Sequence, residues 1–436
     1  MEEVKEKKMI RKFAHITDCH IGAWRNPKLR ELNLKAFENA IMSCINEHVD
    51  FIVISGDFFD VNIPQLGPVK RAVQLIRLAK SHGIQTYMIY GSHDFAMTNV
   101  SMIDILHSTD LFIKPTGYDK DGELIRLQFF TDARTKAKIT GISGRKMGLD
   151  REIYENLDKP GLESEDGFKI LLLHKGISEL TTDKALVKDC IPLSYLPRGF
   201  DYYGGGHIHK RIEGNMGENK VIYPGPIFGS TYEDLEQTAK GERRGFYIIS
   251  FDDKLIDCKF IEVKVADIVS QEIQVDGMSA TELDRKLGDV ISALDEVKDK
   301  IILVKVVGVF NGRLSDIDFG KFGSNLLSRG AMVPILNTNN LASSSSTICD
   351  ISTLDLRGTS KSEIETSIFK ENIQKFKMDS ALPQLVKEKM SLLCKDEEMA
   401  AKLLDAFRAE KIENETVGIY DERINSMAKS LLSLSN

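Results

Sequence analysis

The sequence predicts a layered α/β sandwich, followed by a small α+β module and a helical C-terminal segment. Three observations predict it. Through the first half, short apolar runs without polar alternation take turns with helical stripes, as expected for strands covered on both faces. Several of these runs end in a cluster of Asp, His, Gly or Ser, the place where open α/β sheets bind their ligands. Beyond about residue 265 such clusters stop, and one helical face followed by two apolar runs takes over.

Phe13–Thr17 reads as a strand, and Phe37, Ala40, Ile41, Cys44 and Ile45 give a helical stripe. Phe51–Ser55 is a second strand, Val69, Val73 and Ile76 mark a second helix, and Tyr87–Tyr90 is a third strand. Ile139–Ser143, Lys169–Leu173 and Asp201–Gly206 continue the series. Val221–Tyr223, Phe246–Phe251 and Cys258–Val263 read as antiparallel strands that close a first domain, residues 1–265. In residues 266–342, Ser279 and Glu282 form a capping box. Leu283, Leu287, Val290, Ile291 and Leu294 line one helical face, and Ile301–Phe310 and Met332–Leu336 are strands. This module has no titratable cluster of its own, which favours a supporting role. Residues 343–436 open on the loop-like Ser343–Ser346 and then turn helical. A second capping box, Ser360 and Glu363, precedes stripes running from Ile364, Ile368 and Ile373 to Ile424, Met427, Leu431 and Leu434. These short helices either fold back on the body or dock into a partner's groove.

At 436 residues, two or three domains are expected. The net charge of -7 argues against a generic polyanion binder, although bound cations would invert the field at a site. Six cysteines without a Cys-x-x-Cys pair give neither a disulfide framework nor a zinc knuckle and fit a reducing compartment. No secretory signal is visible in Met1–Lys8, and no apolar run approaches the ~20 residues that span a bilayer. A soluble, cytoplasmic protein without a membrane partner is the expectation. No Gly-x-x-x-x-Gly-Lys-Ser/Thr loop occurs, which excludes P-loop nucleotide hydrolysis.

The chemistry lies in five pieces: Asp18-Cys19-His20, Gly56-Asp57, Gly91-Ser92-His93-Asp94, His174, and Gly206-His207-Ile208-His209. In an extended chain, residues i and i+2 share a face, so Asp18 with His20, and His207 with His209, can each grip an ion. The two oxygens of Asp57 can bridge a pair. Mixed imidazole and carboxylate ligands suit Mn, Fe or Zn better than Mg or Ca. Two such ions about 4 Å apart would hydrolyse a phosphodiester. His93 is the candidate acid for the leaving alkoxide, with Asp94 holding its imidazole. Each piece alone has a bland reading: a core histidine for His174, a helix N-cap for Asp18 or Asp57, a turn for Gly204–Gly206. Together they hold five of the nine histidines, and that decides for a two-metal site. His15, His48, His82 and His107 read as structural.

With these motifs in order, the chain resembles the calcineurin-like metallophosphoesterases. Within them it is similar to the Mre-eleven/SbcD-type nucleases of DNA double-strand-break repair, over about Phe13 to Gly225. "HITDCHIG", "VISGDFFD" and "GGGHIHKR" carry the closer likeness. The resemblance implies one metal on Asp18, His20, Asp57 and His209, and a second on Asp57, His174, His207 and position 92. It assigns His93 the catalytic role. It further implies Mn as the metal and 3′–5′ exonuclease and endonuclease activity. The implied partners are a second copy of the chain and a Rad-fifty/SbcC-type coiled-coil ABC ATPase bound by the final helices. Residues 266–342 resemble the family's DNA-capping domain. Two positions depart from the pattern. Ser92 stands where the family has Asn and implies a weaker second metal, and Asp60 stands where a His is usual and adds negative charge near the substrate. Among Arg25, Lys28, Arg30, Arg145, Lys146, Lys210 and Arg211, we single out Arg25, Lys210 and Arg211 as candidate DNA contacts. The alternatives are a phosphodiesterase acting on small substrates and a catalytically weakened repair scaffold.

Overall fold

The structure is a computed structural model that describes residues 10–94, 100–144, 150–181, 189–343, 402, 405, 407 and 417–431. Arg145, Lys146 and the helical stripes expected between 344 and 401 lie outside the described residues.

In chain order the first elements are β1 (Arg11–Ile16), α1 (Pro27–Asn46), β2 (Phe51–Ser55), α2 (Leu66–Ser81), β3 (Gln85–Ile89) and α3 (Met102–His107). Next come β4 (Tyr118–Asp121), β5 (Leu124–Leu127), β6 (Phe130–Thr131), β7 (Lys138–Ile142), α4 (Arg151–Glu155), α5 (Lys159–Glu163) and β8 (Lys169–Leu173). Then follow β9 (Tyr202–Gly205), β10 (Ile212–Met216), β11 (Asn219–Tyr223), α6 (Tyr232–Ala239), β12 (Gly245–Phe251), β13 (Leu255–Glu262) and β14 (Asp267–Gln274). The last are α7 (Ala280–Ala293), β15 (Lys300–Phe310), α8 (Phe319–Ser328), β16 (Val333–Asn337), β17 (Leu341–Ser343) and α9 (Val417–Leu431).

Two sheets form the sandwich. One has the order β13-β12-β1-β2-β3, the other β10-β11-β9-β8-β7-β6. In the first, β1, β2 and β3 are parallel, with β12 and β13 antiparallel at one side. In the second, β7, β8, β9 and β11 are parallel. β11 thus differs from the antiparallel expectation: it pairs antiparallel only with β10, through the turn at Gly217.

The unbroken apolar runs have a simple cause. Successive side chains of a strand point to opposite faces, and here both faces are buried. Phe13, Phe51, Val53, Ile170, Leu172 and Tyr202 meet between the sheets, while Ala14, Ile52 and Ile54 face α1 and α2. Leu171, Leu173, Tyr203 and Tyr223 form a third cluster on the outer side of the second sheet. α1 begins where Asn26 accepts hydrogen bonds from the N–H groups of Lys28 and Leu29 at 2.9 and 3.3 Å, with Pro27 at its first turn. His15 is fully buried between the sheets, with Nδ1 2.8 Å from the Tyr202 hydroxyl and Nε2 2.8 Å from Ser55 Oγ.

Beyond β13, β14, β15 and β16 form a further sheet, with β17 parallel to the end of β15. The expected capping box is present: Ser279 donates from N and Oγ to Glu282 at 2.8 Å each. Leu283, Leu287 and Ile291 are the buried stripe of α7. The chain divides into two compact units. The first comprises residues 1–273, 289–305 and 319–337, the second 274–288, 306–318 and 338–436. Among the described residues, no helix is long and apolar enough to cross a membrane.

Candidate metal centre

Every ligand expected from the sequence lies just past the C-terminal end of a parallel strand. Asp18 and His20 follow β1, Asp57 follows β2, Ser92 and His93 follow β3, His174 follows β8, and His207 and His209 follow β9. Both sheets therefore contribute, all within the first unit. Potential ligand atoms gather in three overlapping groups: Asp18, His20 and His209; His20, Asp57 and His93; Asp57, His174 and His207, each within 4.8 Å.

The local geometry differs from the extended pairing that the sequence suggested. β1 ends at Ile16, and Asp18 and His20 have φ of 48° and 43°; Asp57 has 48° and His207 82°. These are left-handed conformations, each costing on the order of 1–3 kcal/mol in a non-glycine residue. Four of them converge on one cluster because backbone bonds tie the loops together. His20 N donates to Asp57 O at 2.9 Å and Asp18 N to Gly56 O at 3.2 Å. Gly206 is required by close approach: a Cβ there would lie 2.2 Å from Ser55 O and 2.8 Å from His174 Nδ1.

The hydrogen bonds fix which nitrogens face inward. His174 Nδ1 meets the Ser55 carbonyl at 2.7 Å and so carries the hydrogen, leaving the lone pair on Nε2. That Nε2 has no hydrogen-bond partner, yet it lies 3.1 Å from Asp57 Oδ2. His209 Nδ1 meets the Asp234 carboxylate at 3.0–3.1 Å, which turns its Nε2 lone pair toward His20 Nε2, 3.1 Å away. His174 Nε2 and Asp57 thus face each other as acceptors in a buried space, an arrangement that calls for a cation. Without ions, a proton takes that role. Burial pushes the His174 pKa down, but the Asp57 charge lifts it to about 9. His207 falls to about 3, through burial and the neighbouring His174 charge. The donor set of imidazoles and shared carboxylates fits a pair of divalent ions.

The family description of the calcineurin-like phosphoesterases matches residues 11–211, the stretch from β1 to the last of these ligands. These residues form a calcineurin-like phosphoesterase domain. It is similar to the DNA double-strand break repair protein Mre11 of Archaeoglobus fulgidus, 24% identical over 68% of each chain. The Mre11 of Sulfolobus acidocaldarius is 28% identical over 65% of this chain and 70% of its own. That of Methanocaldococcus jannaschii is 26% identical over 68% and 82%. With this domain the chain is an enzyme acting on phosphate esters.

Within this phosphoesterase centre, three carboxylates take roles the sequence did not show. Asp94 was expected to hold His93. Instead its buried carboxylate accepts the N–H groups of Phe58, Phe59 and Gly91 at 2.9–3.1 Å and pins the loop after β2 to the loop after β3. Burial and the Asp57 charge raise its pKa to about 6. The imidazole of His93 is held by the Asp60 carbonyl, 2.6 Å from Nδ1, so its Nε2 is left for chemistry. The Asp60 carboxylate lies 3.3 Å from His20 Nδ1, an ion-pair approach without hydrogen-bond alignment, so its charge faces a candidate ligand. Asp234, behind His209, was missed altogether; its only sequence signal is the capping box it forms with Thr231. Ser92 Oγ lies 3.5 Å from Asp57 Oδ2.

The candidate DNA contacts diverge. Arg25 and Lys210 are exposed, and Lys210 lines a cavity of about 470 Å³ beside His209. Arg211 has an internal partner: its guanidinium stacks over Phe260 at 4.7 Å.

Proposed function

We propose that this phosphoesterase is a Mn-dependent DNA nuclease, a 3′–5′ exonuclease and endonuclease of double-strand-break repair. One observation carries the reading. The buried lone pairs of His174 Nε2 and the Asp57 carboxylate face one another at 3.1 Å at the strand ends, in a chain whose relatives bear the name of a break-repair protein. One ion is assigned to Asp18, His20, Asp57 and His209, the other to Asp57, His174, His207 and Ser92. When bound, the ions supply Lewis-acid charge and lower the pKa of a water. His93 does the proton work: with Nδ1 on the Asp60 carbonyl, its Nε2 delivers a proton to the leaving oxygen. Arg25 and Lys210 contact the DNA backbone, and Arg211, stacked on Phe260, borders that path.

The remaining assignments rest on the family likeness. Residues 1–265 form the nuclease domain, 266–342 the DNA-capping module, and 343–436 the segment that binds a Rad50/SbcC-type coiled-coil ATPase. The protein works as a homodimer, in the cytoplasm at the nucleoid. The test is digestion of end-labelled linear duplex DNA in Mn, set beside cleavage of a chromogenic phosphodiester. Progressive loss from 3′ ends supports the nuclease. Turnover of the diester with intact DNA means a small-substrate phosphodiesterase, and inertness toward both means a scaffold.

A further inference from the structure

We infer that Asp234 is the positioning residue that sets the tautomer of His209 and thereby the strength of one of the two metal positions. The inference rests on the two-ion reading above. Both oxygens of Asp234 approach His209 Nδ1, at 3.0 and 3.1 Å, and the carboxyl group is nearly inaccessible to solvent. Its own direction is fixed: Oδ2 also accepts the N–H groups of Ser230 at 2.8 Å and Thr231 at 3.1 Å. A buried guanidinium completes the clamp. Arg244 donates to the His209 carbonyl at 2.8 Å, to the Asp234 carbonyl at 2.7 Å and to Thr238 Oγ1 at 2.9 Å. His209 is thus held at its ring by Asp234 and at its backbone by Arg244, which is itself bonded to Asp234. The consequence is chemical. Asp234 accepts only one tautomer of neutral His209, that with hydrogen on Nδ1, so the Nε2 lone pair is presented to the cluster shared with Asp18 and His20.

Capping of α6 is the competing explanation for a buried Asp at this position, because Thr231 Oγ1 accepts the Asp234 N–H at 3.1 Å. Two variants separate the explanations. Thr231→Ala removes the capping hydroxyl and leaves the Asp234–His209 contact, whereas Asp234→Asn keeps the shape and removes the charge. Titration of metal-free protein with Mn by calorimetry is expected to show two ions in the wild type. In Asp234→Asn one of them should weaken by about 10- to 100-fold, and in Thr231→Ala both should keep the wild-type constants. Cobalt loading gives a second readout: the visible spectrum shifts in Asp234→Asn and not in Thr231→Ala. Equal constants in wild type and Asp234→Asn overturn the inference, and so does an equal loss in both variants. A wild type that takes up no ion overturns the two-ion reading itself. Nitrogen NMR of His209 in the metal-free wild-type protein tests the tautomer without any variant: hydrogen on Nδ1 supports the inference, hydrogen on Nε2 refutes it.

Discussion

Replacing Gly91 with Ala tests the geometry of the centre at its tightest point. An ideal Cβ on Gly91 lies 2.0 Å from Asp57 Oδ1, 2.5 Å from its Cγ and 2.2 Å from its backbone N. Ordinary contact starts at 3.4 Å, so the loop after β3 and Asp57 must part by about 1.4 Å. A rotamer change of Asp57 cannot relieve the clash, because its backbone N is blocked as well. In the proposed two-ion centre Asp57 is shared by both ions, and a misplacement of about 1 Å at a catalytic group can cost on the order of 100-fold in rate. Overpacking adds about 1–3 kcal/mol of destabilisation. Gly91→Ala should therefore lose at least one ion on dialysis and reduce diester turnover by about 100-fold or more. Gly67→Ala is the matched control. Gly67 lies in α2 with nothing within 4 Å of its added methyl, so stability should rise by up to about 1 kcal/mol with full metal content. Elemental analysis and initial rates decide the matter. A Gly91→Ala protein with two ions and the wild-type rate would refute the close contact with Asp57.

Three other outcomes follow from the same geometry. His93→Ala should lower cleavage by about 100- to 10,000-fold while both ions stay bound; loss of an ion would make His93 a ligand instead, since it groups with His20 and Asp57. Ser92→Asn should tighten the second ion, because an amide carbonyl reaches further and ligates better than a hydroxyl; unchanged affinity in calorimetry counts against Ser92 as a ligand. His15 contributes to acid lability. Burial lowers its pKa to about 3 in the folded chain, against about 6.5 unfolded. Between those values the unfolded chain binds a proton that the folded chain refuses, so stability falls as pH drops, by about 2 kcal/mol at pH 5. His15→Gln should remove that increment from the difference between urea unfolding of metal-free protein at pH 7 and pH 5; an unaltered difference sinks the assignment.

The strands and the candidate ligands were legible because their causes are local. β2 and β8 have the expected bounds, since a strand buried on both faces must be apolar throughout. The candidate ligands stood out because each follows such a strand, and His, Asp and Gly there serve neither sheet nor helix. What stayed hidden depends on how distant segments meet. The pairing of β11 with β9 turns on the hairpin at Gly217, and β4, β5 and β6 are too short or too polar to give a period. The Asp234–His209 contact joins a helix start to a strand end 25 residues away, and a capping box looks the same whether or not a metal ligand lies beyond it.

The misreading of Asp94 shows what separates a ligand from a fastener among buried carboxylates. Asp57 and Asp94 are both nearly inaccessible to solvent and both follow a strand of the same sheet. Asp94 spends its oxygens on three backbone N–H groups. Asp57 receives one, from His93 at 2.8 Å, and turns Oδ2 toward His174 Nε2 at 3.1 Å and His20 Nε2 at 3.8 Å. A carboxylate surrounded by donors has its lone pairs satisfied by the fold and makes little call on a cation. One that faces imidazole lone pairs is neutralised only by a proton or a metal, and folding leaves that choice to the solution around it. By this criterion Asp57 is the candidate ligand and Asp94 part of the scaffold, although sequence places each at the same kind of strand end.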